Sequence, residues 1–181
     1  LVALVQLFRV ETHTTLNDFI VSTIPVDQLE VADGLRSQDF VISSADSLLN
    51  LGFAAVSSGD QEKALSIFNE VISNYDEEPY ASKAYLNRGI IFYNDGKYPE
   101  AITNFTEAAT RAKENRMISE KAFWYLGNAY VNTGALEDAL LAVGEAYKRD
   151  GVFRKSAYVL YQKLSYDLGK VDFEETSSGD N

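Results

Sequence analysis

Apolar residues between positions 45 and 150 recur at three- and four-residue spacing, as in Leu48, Leu51, Gly52 and Ala55. Such spacing belongs to helices with one buried face. It predicts helices over 45–58, 82–95 and 120–133, each followed by a second helix. The punctuation between them is regular. Gly52, Gly89 and Gly127 are each followed seven residues later by a second glycine, at Gly59, Gly96 and Gly134. Twelve residues beyond each first glycine stands an alanine, Ala64, Ala101 and Ala139, and four further on come Phe68, Phe105 and Val143. The register repeats with periods of 37 and 38 residues, so the chain carries three copies of one supersecondary unit.

The physical reading of that unit is a helical hairpin. The first glycine has no side chain, so the second helix can approach closely there, with the alanine as the matching small contact. The second glycine falls where the first helix must end in a left-handed residue. Asp60 is placed to cap the next helix, and Pro99 fits a first turn, where no donor is lost. Phe68 and Phe105 are expected to fill the space between hairpins. The expected fold is therefore all-α, a superhelix of three hairpins (45–81, 82–119 and 120–150), with Gly151 breaking the last helix and a capping helix, or the first half of a fourth repeat, within 151–170. Ala157, Leu160, Leu164 and Leu168 would form the inner side of that cap, since a repeat array needs a terminal element over its last apolar face. The acidic stretch 171–181 reads as a disordered tail.

Residues 1–44 fall outside the repeat register and read as one or two short helices around Pro25, broken at Gly34. Three roles stand open for them: a cap, a linker from a lost membrane anchor, or a segment lying in the groove of the array. The apolar start, Leu1 to Phe8, reads either as a docking amphipathic helix or as the end of a removed signal or membrane helix, which would put a tether upstream of Leu1.

The skeleton resembles the tetratricopeptide repeat, a helix–turn–helix with the pattern W-x2-L-G-x2-Y followed by A-x3-F. The matching segments are Leu48-x2-Leu51-Gly52-x2-Ala55, Tyr85-x2-Arg88-Gly89-x2-Phe92 and Phe123-x2-Leu126-Gly127-x2-Tyr130. Arg88 in an apolar slot, Ala55 in an aromatic slot and Val143 in place of Phe depart from the pattern without breaking its register. The joint from Asn74 to Ala84 (NYDEEPYASKA) resembles those of bacterial envelope members of the family, such as the outer-membrane-assembly lipoprotein and the Tol–Pal coordinator.

The resemblance implies that the first helices of the hairpins line a concave surface where a partner peptide binds. Repeat one would present Asp46, Leu49, Asn50, Phe53, Val56 and Ser57, and repeat two Lys83, Leu86, Asn87, Ile90, Tyr93 and Asn94. Repeat three would present Lys121, Trp124, Tyr125, Asn128, Val131 and Asn132. The groove so formed is apolar, with aromatic anchors of the kind that dominate binding, and Asn87 and Asn128 are expected to bond a ligand's backbone. Affinity is expected from aromatic contacts rather than charge. Family members that clamp chaperone C-terminal carboxylates use five polar positions. Here Asn87 and Lys121 match two of them, whereas Leu49, Phe53 and Tyr125 occupy others, which argues against a two-carboxylate clamp.

Composition narrows the chemistry. Sixteen Lys and Arg against 27 Asp and Glu leave a net charge of −11, which disfavours nucleic-acid binding. Cysteine is absent and His13 is the only histidine. Thiolate sites and multi-histidine metal sites therefore have no basis and no triad can be built without His13, which lies in a polar flank (Glu11 to Thr15) and reads as solvated or capping, so neither a cofactor nor an enzymatic activity is expected. Asp76-Glu77-Glu78 reads as a solvated linker rather than a calcium site. Asn104-Phe105-Thr106 matches a glycosylation sequon but lies on a helix whose Phe faces the core. The expectation is a protein-interaction module of a bacterial cell-envelope assembly in the periplasm, with the cytoplasm as the alternative setting. The alternative role is a structural or homo-oligomerising component of an envelope complex, its groove filled in cis by the N-terminal segment.

Overall fold

Each glycine-punctuated unit folds into a hairpin in the computed structural model, which describes residues 15–32 and 44–170. The helices are α1 Ser44–Ser57, α2 Gln61–Asn74, α3 Tyr80–Asn94, α4 Tyr98–Arg111, α5 Arg116–Thr133, α6 Leu136–Lys148 and α7 Arg154–Asp167, with no strand among the described residues. Expectations for Leu1–Phe8, His13, Gly34 and the tail beyond 170 lie outside the described residues.

Local chemistry sets the helix ends. Gly59, Gly96 and Gly134 have φ of 81°, 71° and 77°, a conformation in which a Cβ would be strained. The Asp60 carboxylate accepts from the Lys63 amide at 3.1 Å, capping α2, and Pro99 sits in the first turn of α4. One boundary differs from expectation. Helix α5 begins at Arg116 rather than at residue 120, because the Asn115 side chain accepts from the Ile118 amide at 3.1 Å and starts the helix a turn early.

The interior glycines have a different partner from the one expected. A Cβ on Gly89 would lie 2.5 Å from the Phe105 ring, and one on Gly52 or Gly127 would overlap Phe68 or Val143. The close approach is thus made by the bulky residue of the same hairpin. The ring needs the volume that the glycine leaves empty, while Ala64, Ala101 and Ala139 are fully buried beside it. Phe68 and Phe105 therefore fasten their own hairpins rather than only filling space between them. Phe105 also reaches across to the next repeat, with its ring 5.8 Å from that of Tyr125. Arg88, the departure in an apolar slot, lays its guanidinium 5.9 Å from the Tyr85 ring and 6.0 Å from that of Phe92. A flat, weakly hydrated cation between two rings substitutes for the apolar residue of the pattern. Burial lowers its pKa despite the nearby Tyr85.

At the far end α7 packs on α6. Its start is held by the buried Glu120 carboxylate, which accepts from the amides of Gly151, Val152 and Phe153 at 3.1, 3.0 and 2.9 Å. Gly151 does not break α6, which has already ended at Lys148, with Asp150 taking the left-handed φ of 53°. Its missing Cβ instead leaves room for Glu120. Ala157, Leu160 and Leu164 face inward as expected and Leu168 is half-buried, whereas Tyr158, Val159, Tyr161 and Tyr166 remain exposed.

The segment 15–32 does not form α-helices. It is irregular, with single 3-10 turns at Leu16–Asp18 and Val26–Gln28 and bends and short extended stretches around them. Pro25 opens the second turn, a role suited to its fixed φ. The first turn lies against α7 and the second against α1, so this strap runs along the first helices in the direction opposite to the repeat order.

Candidate functional site

Helices α1, α3 and α5 present a row of side-chain amides toward the strap. Asn87 accepts from the Glu30 amide at 2.7 Å and donates to the Glu30 carbonyl at 2.8 Å. Asn94 does the same to Ile24, with both bonds at 2.8 Å. Asn128 accepts from the Val21 amide at 2.8 Å, and Asn50 accepts from the Ala32 amide at 3.3 Å. A primary amide paired to both the N–H and the C=O of one residue imitates a neighbouring strand. It reads extended backbone without reading sequence. Lysines extend the row: Lys83 Nζ donates to the Val31 carbonyl and Lys121 Nζ to the Gln28 carbonyl, each at 3.0 Å.

Side-chain selectivity comes from a few positions. Ile24, Leu29 and Ala32 of the strap are buried in the common core. Glu30 is buried as well, and its carboxylate pairs with Lys121 Nζ at 2.5 Å, with the two side chains only 9% and 13% exposed. Tyr125 donates to the Gln28 side chain at 3.4 Å. At the other end of the strap Tyr93 donates to the Val21 carbonyl and accepts from Asn132 Nδ2 at 3.0 Å, while Asn132 also donates to the Asn128 carbonyl at 2.9 Å. The Val21 N–H and C=O are thereby both held, by Asn128 and Tyr93.

The Tyr93 phenol has its pKa pushed well above the ordinary tyrosine value by burial, with Tyr98 adding to the shift and the Asn132 bond opposing it. Burial raises Tyr125 in the same way, aided by Asp27 and Glu30. A raised folded-state value means that these groups hold their protons longer when folded. Their contribution is therefore complete below the unfolded value of about 10 and is lost as pH rises beyond it. We expect denaturant stability to fall between about pH 10 and 12, and to fall less steeply in Tyr93→Phe. Identical slopes in the two proteins would show that Tyr93 is not involved.

The groove positions expected from the sequence divide into two sets. Asn87, Tyr93, Lys121, Tyr125 and Asn128 meet the strap directly. Leu49, Leu86 and Ile90 are buried in the apolar floor, and Phe53 and Val56 are half-buried against it. Trp124 is elsewhere in function: its ring stacks on Phe153 at 5.7 Å and 15°, in the joint leading to α7, and its indole N–H has no partner among the described residues. The contacts on the strap are amide clamps, lysine and tyrosine hydrogen bonds, aliphatic burial and one ion pair, because a segment outside regular secondary structure has backbone groups that must be satisfied.

Asn50, Asn94 and Lys83 were placed on the concave face by the sequence but given no role there. Their signal was available in Asn50 and Asn87, and in Asn94 and Asn132, which stand one repeat apart. The acidic joint is also engaged, since Asp76 pairs with Arg111 at 2.7 Å. Asn104 of the sequon is buried and bonded to the Glu100 carbonyl at 2.8 Å. Among the described residues no group of His, Asp and Glu side chains is arranged to hold a metal ion, and no helix is long and apolar enough to cross a membrane.

The repeat skeleton has an independent counterpart. The family profile described as the tetratricopeptide repeat matches residues 49–116 and, in an overlapping second match, 86–151. No curated protein matches the chain significantly. The two profile matches together span more than half of the sequence and coincide with the hairpins whose glycines, caps and amide row are described above. The chain thus belongs to the tetratricopeptide repeat family, whose repeats generally mediate protein–protein interaction and are typically not enzymes.

Proposed function

We propose that this array is an interaction module whose concave groove binds an extended peptide, held chiefly through its backbone. The observation that carries the reading is the two-way bond between Asn87 and Glu30, repeated between Asn94 and Ile24. Both asparagines stand on α3, Asn128 of α5 and Asn50 of α1 meet Val21 and Ala32 of the same segment with one bond each, and an isolated helical array has no structural need for such a row. The setting we propose is a bacterial envelope assembly, supported by the form of the Asn74–Ala84 joint.

The test uses the full chain with Ile24→Ser and Leu29→Ser to loosen the strap, and a fluorescein-labelled synthetic peptide of residues 15–32 as the probe. Anisotropy should report saturable binding. Adding Asn87→Ala should weaken it about 30-fold, the equivalent of two hydrogen bonds at about 1 kcal/mol each. A second reading is favoured by the depth at which Ile24 is buried, only 1% exposed. In it the groove is permanently filled in cis and the array is a structural component. A loosened chain that keeps its helicity but never binds the probe would establish that second reading and overturn the first.

A further inference from the structure

The strap is not uniformly read. Its backbone is met by amides, but its side chains are met at few places, and only one of those is charged. Glu30 lies at the centre of the groove, where Lys121 from α5 takes its carboxylate and Asn87 from α3 takes its backbone. Lys83 stands beside it on the Val31 carbonyl and is itself buried. Two lysines at the floor of a groove are notable in a chain with a net charge of −11. The surface field repels an acidic ligand, while Lys121 beneath it offers an ammonium group walled by apolar residues. Burial strengthens that local attraction and shields it from salt.

Resting on the peptide-binding reading above, we propose that residues 21–32 are a self-ligand, and that the partner they stand in for is an extended peptide carrying a glutamate at the Lys121 seat. The ligand pattern follows from the buried strap positions: an aliphatic residue at the Ile24 place, Leu-Glu at the places of Leu29 and Glu30, and a small residue at that of Ala32. The exposed positions Ser22, Thr23 and Asp27 are free to vary. This differs from capture of a chain terminus, because the groove takes a side-chain carboxylate and the backbone continues past it to Asn50. Tethering gives the strap an effective concentration on the order of millimolar. The partner therefore enters only when it outcompetes the strap or when something holds the strap away.

The experiment extends the anisotropy measurement to the intact chain and to variants of the peptide. The intact chain should bind the labelled 15–32 peptide at least tenfold more weakly than the loosened Ile24→Ser, Leu29→Ser chain. A peptide with Glu30→Gln should bind the loosened chain about 10- to 100-fold more weakly than the parent peptide, an effect that persists in 0.5 M salt, whereas Asp27→Asn should change binding less than twofold. Lys121→Glu in the chain should restore binding of a Glu30→Lys peptide. Equal binding of the parent and Glu30→Gln peptides would overturn the carboxylate seat while leaving the peptide-binding groove standing. Equal affinity of intact and loosened chains would overturn the self-ligand. A concentration-dependent dimer in sedimentation, with straps exchanged between copies, would assign the groove to a second copy and overturn a separate partner. Absence of binding by the helical, loosened chain would instead overturn the peptide-binding reading itself. If the serine substitutions unfold the chain, hydrogen exchange of the intact chain with excess unlabelled peptide decides the matter. Faster exchange at the amides of Val21, Ile24, Glu30 and Ala32 supports displacement, and unchanged exchange at saturating peptide overturns it.

Discussion

Replacing Phe105 with alanine is expected to destabilise the protein by about 3–5 kcal/mol, the range for removing a fully buried phenylalanine. The ring has no exposed surface. It fills the space vacated by Gly89 within the second hairpin and reaches Tyr93 at 6.4 Å and Tyr125 at 5.8 Å. It thus joins three helices, α3, α4 and α5. In a stacked array stability is a sum of units and nearest-neighbour interfaces, so a defect in the central unit weakens both of its neighbours. Denaturant unfolding followed by circular dichroism should show the loss. A change below about 1 kcal/mol would mean that the helices close over the cavity and that the ring is not the fastener. A double-mutant cycle makes the geometry specific. Gly89→Ala should be costly alone, since its Cβ would meet the ring at 2.5 Å, and close to neutral once Phe105 is alanine.

Glu120→Ala should release α7, at a cost of about 3 kcal/mol. Hydrogen bonds to a charged acceptor are worth roughly 1.5–3 kcal/mol each. Three are lost, but Gly151 and Val152 are exposed and water recovers part of that energy. The readout is regional. Phe153 stacks on Trp124, the only tryptophan, so release of the joint should shift tryptophan emission to the red. Hydrogen exchange should rise across Arg154–Asp167 while α3 to α5 stay protected. Glu120→Gln, which keeps one acceptor oxygen, should fall between the two. Equal loss of protection in every helix would show that Glu120 supports the array as a whole rather than the docking of α7.

The hairpins were legible because their instructions are local. A glycine seven residues after another glycine, an aspartate at a cap and a proline in a first turn act within a few residues of themselves. Three copies in one register raise the signal above coincidence. The early start of α5 was missed because Asn115 reads equally as a linker residue until its side chain is seen on the Ile118 amide. The glycine partners were misassigned for a related reason. Alanine and phenylalanine lie four residues apart on the same helical face, and only the approach of the helices decides which one occupies the vacated volume.

The groove was half legible. Helical periodicity places a residue on a face, and the resemblance to the tetratricopeptide repeat implies which face is concave, so Asn87, Asn128 and Lys121 could be assigned to that side. Trp124 satisfied the same rule and nevertheless packs on Phe153, since a neighbouring element claimed its ring first. Three roles stand open for residues 1–44 in the sequence, and the tertiary structure adds that residues 15–32 lie along the groove.

By itself the sequence determined an all-helical array of three hairpins, the positions of their turns, the residues sharing one helical face, and a chemistry without cysteine and with one histidine. Only the tertiary structure decided that residues 15–32 lie in the groove and that Glu30 sits on Lys121. The bonds that fasten the strap join residues 57, 70 and 107 positions apart, and most of them go to its backbone. Backbone groups are the same in every residue, so a segment recognised through them carries no periodic side-chain pattern from which its place can be read.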